Sequence, residues 1–141
     1  MSAKRRIHSD VIGTLIYYDG EQTRAGEMII SFLKAANDHG HETRTVSSGG
    51  TDFDKDIKEA FNNASEFLLP TTDKGLLMKN ITKNEDPVHD IIIDDDPMMK
   101  PDDFGFHFFA NHHIDPNSKN LEDDLKTIAR EQLGFEWNGP K

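Results

Sequence analysis

The chain alternates between short apolar runs and segments in which apolar residues have helical spacing. Residues 5–10 and 42–48 are typical of strands, and three consecutive isoleucines at 91–93 predict a strand covered on both faces. Residues 24–39 and 121–135 place apolar side chains three and four positions apart, which predicts amphipathic helices. Because strands alternate with helices, we expect a three-layer α/β/α domain with a mainly parallel sheet.

The remaining segments predict shorter elements. Gly40 follows the helix at 24–39, where a residue with left-handed backbone conformation would end it. In chain order we expect an extended segment at 11–18 broken at Gly13, a helix at about 53–63 with Asp52 as N-cap, a helix opened by Thr72 or Asp73, and a strand at 104–110. With right-handed crossovers between parallel strands, this is a Rossmann-like arrangement.

Length and charge restrict the class of protein. The 141 residues suffice for one domain, residues 1–141, but not for two. The formal net charge of −10 disfavours nucleic acid and anionic lipid as partners, and favours small ligands that arrive with a cation, or a basic partner. The chain has no cysteine, which excludes disulfides, thiolate zinc sites and cysteine nucleophiles. No apolar run is long enough to span a membrane and the N-terminus has no signal-peptide pattern, so we expect a cytoplasmic protein.

Polar residues collect at the carboxyl ends of the predicted strands. Right-handed crossovers place these ends along one edge of the sheet, where ligands bind in α/β domains. The residues at this edge are Asp10, Ser47 and Ser48, residues 70–74, Asp94 to Asp96, and residues 111–113. Carboxylates, hydroxyls and a lysine are therefore predicted to converge on one site.

These side chains suit a cation and an anion bound together. Asp10 with Asp94 or Asp95 supplies the oxygen ligands that Mg²⁺ prefers. The Ser47 hydroxyl and the backbone N–H groups that follow it suit an anion, and Lys74 adds a compact positive charge. Each feature taken singly has an ordinary structural explanation, such as a solvated turn or a surface lysine. Their order on successive strand ends favours the functional one.

That order resembles the haloacid dehalogenase-like (HAD) superfamily, mostly Mg²⁺-dependent phosphatases that form an aspartyl-phosphate. The four motifs are matched by DVIGTL at Asp10, Gly13 and Thr14, by TVSSGG at Ser47, by DKGLL at Lys74, and by IIIDDDP at Asp94 and Asp95. Lys79 and Lys83 compete with Lys74 for the third motif. The match covers most of residues 5–97.

The resemblance implies a role for each matched residue. Asp10 would be the nucleophile, and Ser47 and Lys74 would hold the transferring phosphoryl group. Thr14, Ser48 and Gly49 would contact the substrate. Mg²⁺ would be held by Asp10, the backbone carbonyl of Ile12, and Asp94 or Asp95. The implied protein is a small HAD-like domain without a cap that hydrolyses phosphoric monoesters.

Two aspartates compete for the first motif. A strand precedes Asp10, and Gly-Thr-Leu follows it, so three neighbours agree with the motif. If Asp19 were instead the second acid, Tyr17 would replace the nucleophile and Glu21 would stand where the threonine belongs. We therefore assign Asp10.

The chain departs from the resemblance at Ile12. The family's phosphatases carry a second aspartate there, which protonates the leaving group and later activates water. Loss of a general acid–base group typically costs about 10²–10⁴-fold in rate. Three outcomes stay open. The protein could catalyse other chemistry, as do branches of the family that lack this acid but usually carry a cap, or Asp19 could act as a substitute acid. Alternatively, the site could bind Mg²⁺ and a phosphate-bearing ligand without turnover.

The expected partners follow from an open site on an acidic protein. Capless members of the family tend to act on large substrates, or use a neighbouring subunit as a lid, which allows a homo-oligomer. We expect a phosphoprotein or a phosphorylated small molecule as the ligand, and not nucleic acid. The alternatives to a phosphatase are a catalytically weak or inactive regulatory module with the same fold, and an acidic protein that mimics nucleic acid.

Residues outside the motifs have simpler explanations. His112 and His113 are expected in a polar loop before Asp115, with proton donation to the site as the alternative. His8 is expected to be structural. Trp137 anchors either the C-terminal segment or a partner, and the sequence does not discriminate between these.

Overall fold

A computed structural model describes residues 4–73, 90–95 and 112–140. Within them lies a five-stranded, all-parallel sheet in the order β3-β2-β1-β4-β5. The strands are β1 (Arg6–Asp10), β2 (Glu42–Ser47), β3 (Leu69–Asp73), β4 (Asp90–Ile93) and β5 (His112–Ile114). The fold is an α/β, Rossmann-like domain, as the alternating pattern predicts.

Three α-helices accompany the sheet in the described part of the chain. They are α1 (Gly26–Asp38), α2 (Asp54–Ala60) and α3 (Leu121–Ile128). Short 3₁₀ segments occupy Gly50–Phe53 and Ala64–Glu66, and α3 continues into one π-helical turn at Ala129–Leu133. None of the helices in these residues has the length and apolar character that crossing a membrane requires.

The central strands are buried on both faces. Ile7 of β1 lies opposite Ile91 of β4, and the next pair, His8 and Ile92, points to the other face because side chains alternate along a strand. Ile7, Ile91, Ile92 and the following Ile93 are completely inaccessible to solvent, and His8 is nearly so. This confirms the prediction from the three isoleucines, and it agrees with a layer on each side of the sheet.

The core joins one face of the sheet to the apolar stripes of the helices. Its helical members are Ile29, Phe32, Leu33 and Ala36 of α1, Ile57 of α2, and Leu121 and Leu125 of α3. Trp137 belongs to the same cluster, and its ring meets Phe32 edge to face, with the ring centroids 5.5 Å apart. Trp137 therefore anchors the C-terminal segment against α1.

The segment after β1 is not extended, contrary to the prediction for residues 11–18. The Val11 carbonyl accepts hydrogen bonds from the N–H groups of Thr14, Leu15 and Ile16, at 3.3, 2.9 and 3.1 Å. Gly13 has a φ of 83°, a left-handed conformation that glycine adopts without strain. The chain therefore leaves β1 in a helical turn, because the turn satisfies these N–H groups within the segment.

One predicted helix start is wrong, and a second falls at the end of a strand. Helix α2 begins at Asp54, with Phe53 at the N-cap position and no side-chain cap, so Asp52 does not cap it. Thr72 and Asp73, predicted to open the next helix, belong to β3, and the residues of that predicted helix from Lys74 onwards lie outside the described residues. The Thr71 hydroxyl hydrogen-bonds to the Asp54 carboxylate and to the Thr45 hydroxyl of β2, the latter at 2.6 Å. These tertiary contacts add β3 to the sheet, and they are invisible to local sequence patterns.

His112 and His113 form β5 and do not lie in a polar loop, which corrects that prediction. They pair with Ile91 and Ile92 of β4, so the backbone of β4 supplies hydrogen-bond partners that the sequence does not reveal. The strand predicted at 104–110 lies outside the described residues.

A buried histidine connects the start of the sheet to the end of the last helix. His41 is 4% exposed; its Nδ1 accepts from the Arg5 N–H at 3.0 Å, and its Nε2 donates to the Leu133 carbonyl at 2.8 Å. This arrangement requires the neutral ring with the proton on Nε2, because a proton on Nδ1 would face the Arg5 N–H. Burial lowers the pKa of His41 below its usual value, the hydrogen bond to Leu133 opposes this, and the charges of Arg5 and His39 add to the lowering.

The folded protein is therefore expected to lose stability as the pH falls below the ordinary histidine pKa of 6.5. The unfolded chain takes up a proton at His41 there while the folded chain resists it, so the contribution is complete above that pH. Urea denaturation at pH values between about 5 and 8 measures the effect. His41→Gln should reduce this acid sensitivity and lower the free energy of unfolding near neutral pH by about 1–3 kcal/mol. His39→Gln, at an exposed neighbour, should retain the acid sensitivity, and equal acid sensitivity in wild type and His41→Gln would contradict the assignment.

Candidate functional site

The site lies at the carboxyl ends of the central strands. Asp10 is the last residue of β1 and is 5% exposed, between Val46 of β2 on one side and the end of β4 on the other. Ser9 of β1 pairs with Ile93, the last residue of β4. Asp94 follows Ile93 and therefore lies beside Asp10. Parallel pairing brings the two acids together although 84 positions separate them in the sequence.

Three carboxylates form a compact group at this edge. One oxygen from each of Asp10, Asp94 and Asp95 lies within 4.8 Å of the others, with Asp10 and Asp94 buried and Asp95 exposed. Ligand oxygens around Mg²⁺, at about 2.0–2.1 Å from the ion, lie at most ~4.2 Å apart, so small side-chain movements would complete such a site. Carboxylates so close also repel one another, and a divalent cation lowers that repulsion. The order of these residues in the chain predicted that they would meet, and oxygen donors of this kind suit Mg²⁺, whose binding stays a prediction.

Thr14 positions the Asp10 carboxylate. Its side chain is completely buried, and its hydroxyl donates to Asp10 Oδ2 at 3.1 Å. The Thr23 hydroxyl in turn donates to the Thr14 carbonyl at 2.6 Å, which connects the turn to the segment before α1. Thr14 was predicted to contact the substrate. Because the side chain is buried against Asp10, the structure supports orientation of the carboxylate as its role.

Gly13 makes room for Asp95. A Cβ atom at this position would lie 2.6 Å from Asp95 Oδ2, closer than non-bonded atoms approach. Gly13 therefore serves both the turn, through its positive φ, and the third carboxylate, through its missing side chain.

Ile12 and Asp19 lie in the loop that leaves β1. Ile12 is partly buried and packs against the hydrophobic core, which accounts for an apolar residue at this position. Asp19 is exposed in a short hairpin in which the Tyr17 N–H donates to the Glu21 carbonyl at 2.8 Å. Asp19 Oδ1 accepts from the Glu21 N–H at 2.9 Å, a local turn bond that explains the aspartate in structural terms. Its role as a substitute acid stays a prediction.

Ser47 also lies at the predicted edge. It ends β2, one position beyond the partner of Asp10, and its hydroxyl accepts from the Gly49 N–H at 3.2 Å. That N–H was predicted to bind an anion, but here it closes a turn. Ser48 is exposed in the same turn. A 3₁₀ segment separates this turn from α2, so the helix does not begin directly at Ser47. Ser47 pairs with Asp73 of β3, and Lys74, the next residue, lies outside the described residues.

His113 contributes to the site in a way that was not predicted. Its Nε2 lies 2.9 Å from the Asp94 carbonyl, so this nitrogen carries the proton and donates it to that oxygen. The Asp94 N–H donates to the Ile114 carbonyl at 3.1 Å. Residues of β5 therefore hydrogen-bond both the N–H and the carbonyl group of Asp94. The paired histidines were visible in the sequence, but the pairing of β4 with β5 was not.

Comparisons with models of protein families, with curated proteins and with solved structures give no match. The function therefore has to be argued from the residues themselves.

The carboxylate group predicts stabilisation by Mg²⁺. With a dissociation constant of about 1 mM, addition of ~10 mM Mg²⁺ would add about 1.4 kcal/mol to the free energy of unfolding, which raises the melting temperature by roughly 3–6 °C. Asp94→Asn should abolish the shift, because it removes a ligand charge with little change in shape. Asp38→Asn changes an exposed acid of α1 that pairs with Lys34, so it should keep the shift. Thermal denaturation with and without the ion measures it, and an unchanged shift in Asp94→Asn would argue against the site.

Proposed function

We propose that this protein is a small, capless, HAD-like hydrolase that cleaves phosphoric monoesters with the help of Mg²⁺. The supporting observation is the geometry around Asp10: a buried carboxylate at a strand end, held by the Thr14 hydroxyl, with oxygens of Asp94 and Asp95 within 4.8 Å. This combines an oriented nucleophile with ligands for a hard cation, which is what phosphoryl transfer through an aspartate requires.

The reaction begins with attack of the Asp10 carboxylate on phosphorus. A bond forms between the carboxylate oxygen and phosphorus while the ester P–O bond breaks, and the ester oxygen leaves with the bonding electron pair as an alkoxide or aryloxide, which takes its proton from water. Water then attacks the aspartyl-phosphate, which releases inorganic phosphate and restores Asp10. Mg²⁺ held by Asp10, Asp94 and Asp95, with the Ile12 carbonyl as a further candidate ligand, would neutralise phosphoryl charge during both steps. Ser47 and Lys74 are the proposed contacts for the phosphoryl oxygens.

Ile12 restricts the substrates that fit this mechanism. An isoleucine cannot donate a proton to the departing oxygen, so esters whose alcohols leave as stable anions should react fastest. Aryl phosphates belong to this class and alkyl phosphates do not. The same residue cannot activate the water of the second step, so hydrolysis of the aspartyl-phosphate should limit turnover. The proposed ligand is a phosphorylated small molecule or a phosphoprotein.

A second candidate function is phosphate-dependent binding without turnover. The packing of Ile12 against the core favours it, because this side chain fits its surroundings as an apolar residue. Such a module would keep Asp10, Asp94 and Asp95 as ligands for Mg²⁺ and would bind a phosphorylated partner.

Hydrolysis of p-nitrophenyl phosphate by the purified protein tests the proposal. We expect release of p-nitrophenol in Mg²⁺, none after chelation of the ion by EDTA, and slower reaction of an alkyl phosphate. Mg²⁺ binding without any phosphate release, in the first turnover or later, would favour the binding module. A protein that neither binds the ion nor releases phosphate would overturn both.

A further inference from the structure

A cavity of about 440 Å³ lies next to the carboxylate group, between the starts of α1 and α3. Gly13 forms part of its wall, and a Cβ atom at the same glycine would lie 2.6 Å from Asp95 Oδ2. The cavity therefore begins within one residue of the proposed metal ligands. Its volume lies in the range of about 300–1,000 Å³ that is usual for sites of small molecules.

Two cations line this cavity in an otherwise acidic protein. Arg24 precedes α1 and Lys119 precedes α3, and both are exposed. In the described part of the chain, neither forms a salt bridge, whereas Lys34 and Lys126 pair with acids on their own helices. Unpaired cations facing one cavity attract an anionic group, and Arg24 can bind a carboxylate or phosphate through two parallel hydrogen bonds.

The acid in the cavity wall is already engaged. Glu122 Oε2 lies 2.9 Å from Lys126 Nζ, and the same carboxylate packs beside Gly139. Lys126 offsets part of its charge. Arg24 and Lys119 are then the two cations of the lining, against this one acid.

The rest of the lining suits a small organic body. Tyr17 presents a ring that is 51% exposed, and Met28 and Leu121 contribute apolar surface on the helices. Thr23, Asn117 and Ser118 add hydrogen-bonding groups. An aromatic ring bound in this cavity would find apolar partners in Tyr17, Met28 and Leu121.

We infer that this cavity holds the leaving group of the substrate, and that this group carries a second anion. The substrate class is an aryl or similarly activated phosphate monoester with a carboxylate or a second phosphate, which Arg24 and Lys119 bind while Asp10 attacks the first phosphate. The inference rests on the proposed hydrolase, which determines that the first phosphate of the ligand faces Asp10. Binding of the second anion by Arg24 and Lys119 can also be measured without turnover.

The test compares phenyl phosphate, 4-carboxyphenyl phosphate and 1,4-phenylene bisphosphate. In the wild type, at least one of the two doubly anionic esters should have a KM about tenfold or more below that of phenyl phosphate, as expected for a charged hydrogen bond. The ester with the lower KM identifies the second group. In the Arg24→Gln, Lys119→Gln double variant, the ratio of the KM values should fall towards one. Lys55→Gln neutralises an exposed lysine of α2 outside the cavity and should keep the wild-type ratio.

The outcomes separate this inference from the proposed hydrolase. Equal KM values for the three esters in the wild type, or an unchanged ratio in the double variant, overturn the anion subsite while the hydrolase stands. If none of the esters is hydrolysed, the same compounds are titrated calorimetrically in Mg²⁺. Tighter binding of a doubly anionic ester, lost in the double variant, then supports the subsite although the hydrolase fails. Equal or no binding overturns the subsite as well.

Discussion

Asp10→Asn is expected to reduce Mg²⁺-dependent hydrolysis of p-nitrophenyl phosphate to the background rate, a loss of about 10³-fold or more. The amide is nearly the same size as the carboxylate and its oxygen can still accept from Thr14, so the fold should survive. It cannot form an aspartyl-phosphate, because the amide nitrogen and oxygen are poor nucleophiles. Steady-state release of p-nitrophenol gives the rate, and circular dichroism checks that the variant is folded.

Asp38→Asn is the matched control for this loss. It makes the same chemical change at an exposed position of α1, so its rate should equal that of the wild type. Asp19→Asn tests the other aspartate that follows β1. A decrease confined to hydrolysis of the phosphorylated protein would support its use as a substitute acid. Retention of more than a small fraction of activity by Asp10→Asn would remove Asp10 from the mechanism.

Ile12→Asp is expected to raise the turnover number on aryl phosphates by about 10²–10⁴-fold, the usual contribution of a general acid–base group. The introduced carboxyl would lie two residues after Asp10, in the position to which the proposed HAD-like mechanism assigns proton transfer. Ile12 packs partly on the core, so the change should also lower the free energy of unfolding by about 1–3 kcal/mol. Rapid-mixing kinetics check the mechanism: the wild type should release p-nitrophenol in a fast first turnover followed by a slow phase, and the variant should lose this burst.

Ile12→Asn controls for the polarity and shape of the new side chain. It disturbs the core contact to a similar extent but cannot transfer a proton, so its rate should stay at the wild-type level. Similar rates for the aspartate and asparagine variants would show that proton transfer at this position does not limit the reaction. In that case the site binds its ligand for another purpose, and the second candidate function gains weight.

The strongest predictions from sequence concern periodic and buried segments. Three isoleucines in a row have no alternating pattern, and β4 is buried on both faces as a result. The apolar stripe at 24–39 becomes α1, and the helix ends where Gly40 has a φ of 91°. These features depend on local spacing and on burial of apolar surface, which the order of residues expresses directly. The convergence of Asp10 with Asp94 and Asp95 was predicted because parallel strands place their carboxyl ends along one edge.

Long-range contacts account for the elements that were not predicted. Thr71 to Asp73 look like the start of a helix, but Thr45 and Asp54 bind Thr71 and extend the sheet. His112 and His113 look like a polar loop, but β4 pairs with them. In both cases a neighbouring strand supplies backbone partners, which outweighs the weak preference of a short polar segment.

The amino-acid sequence by itself determined the alternating architecture, the edge at which the acids meet, and the absence of an acid at Ile12. The tertiary structure alone decided how those acids are held. Thr14 donates a hydrogen bond to Asp10, Gly13 leaves room for Asp95, and His113 donates to the backbone carbonyl of Asp94. It also brought Arg24 and Lys119 to one cavity beside them. The physical reason is that hydrophobic periodicity acts over a few residues. Hydrogen-bond geometry and the walls of a cavity depend on segments that meet only after the sheet has formed.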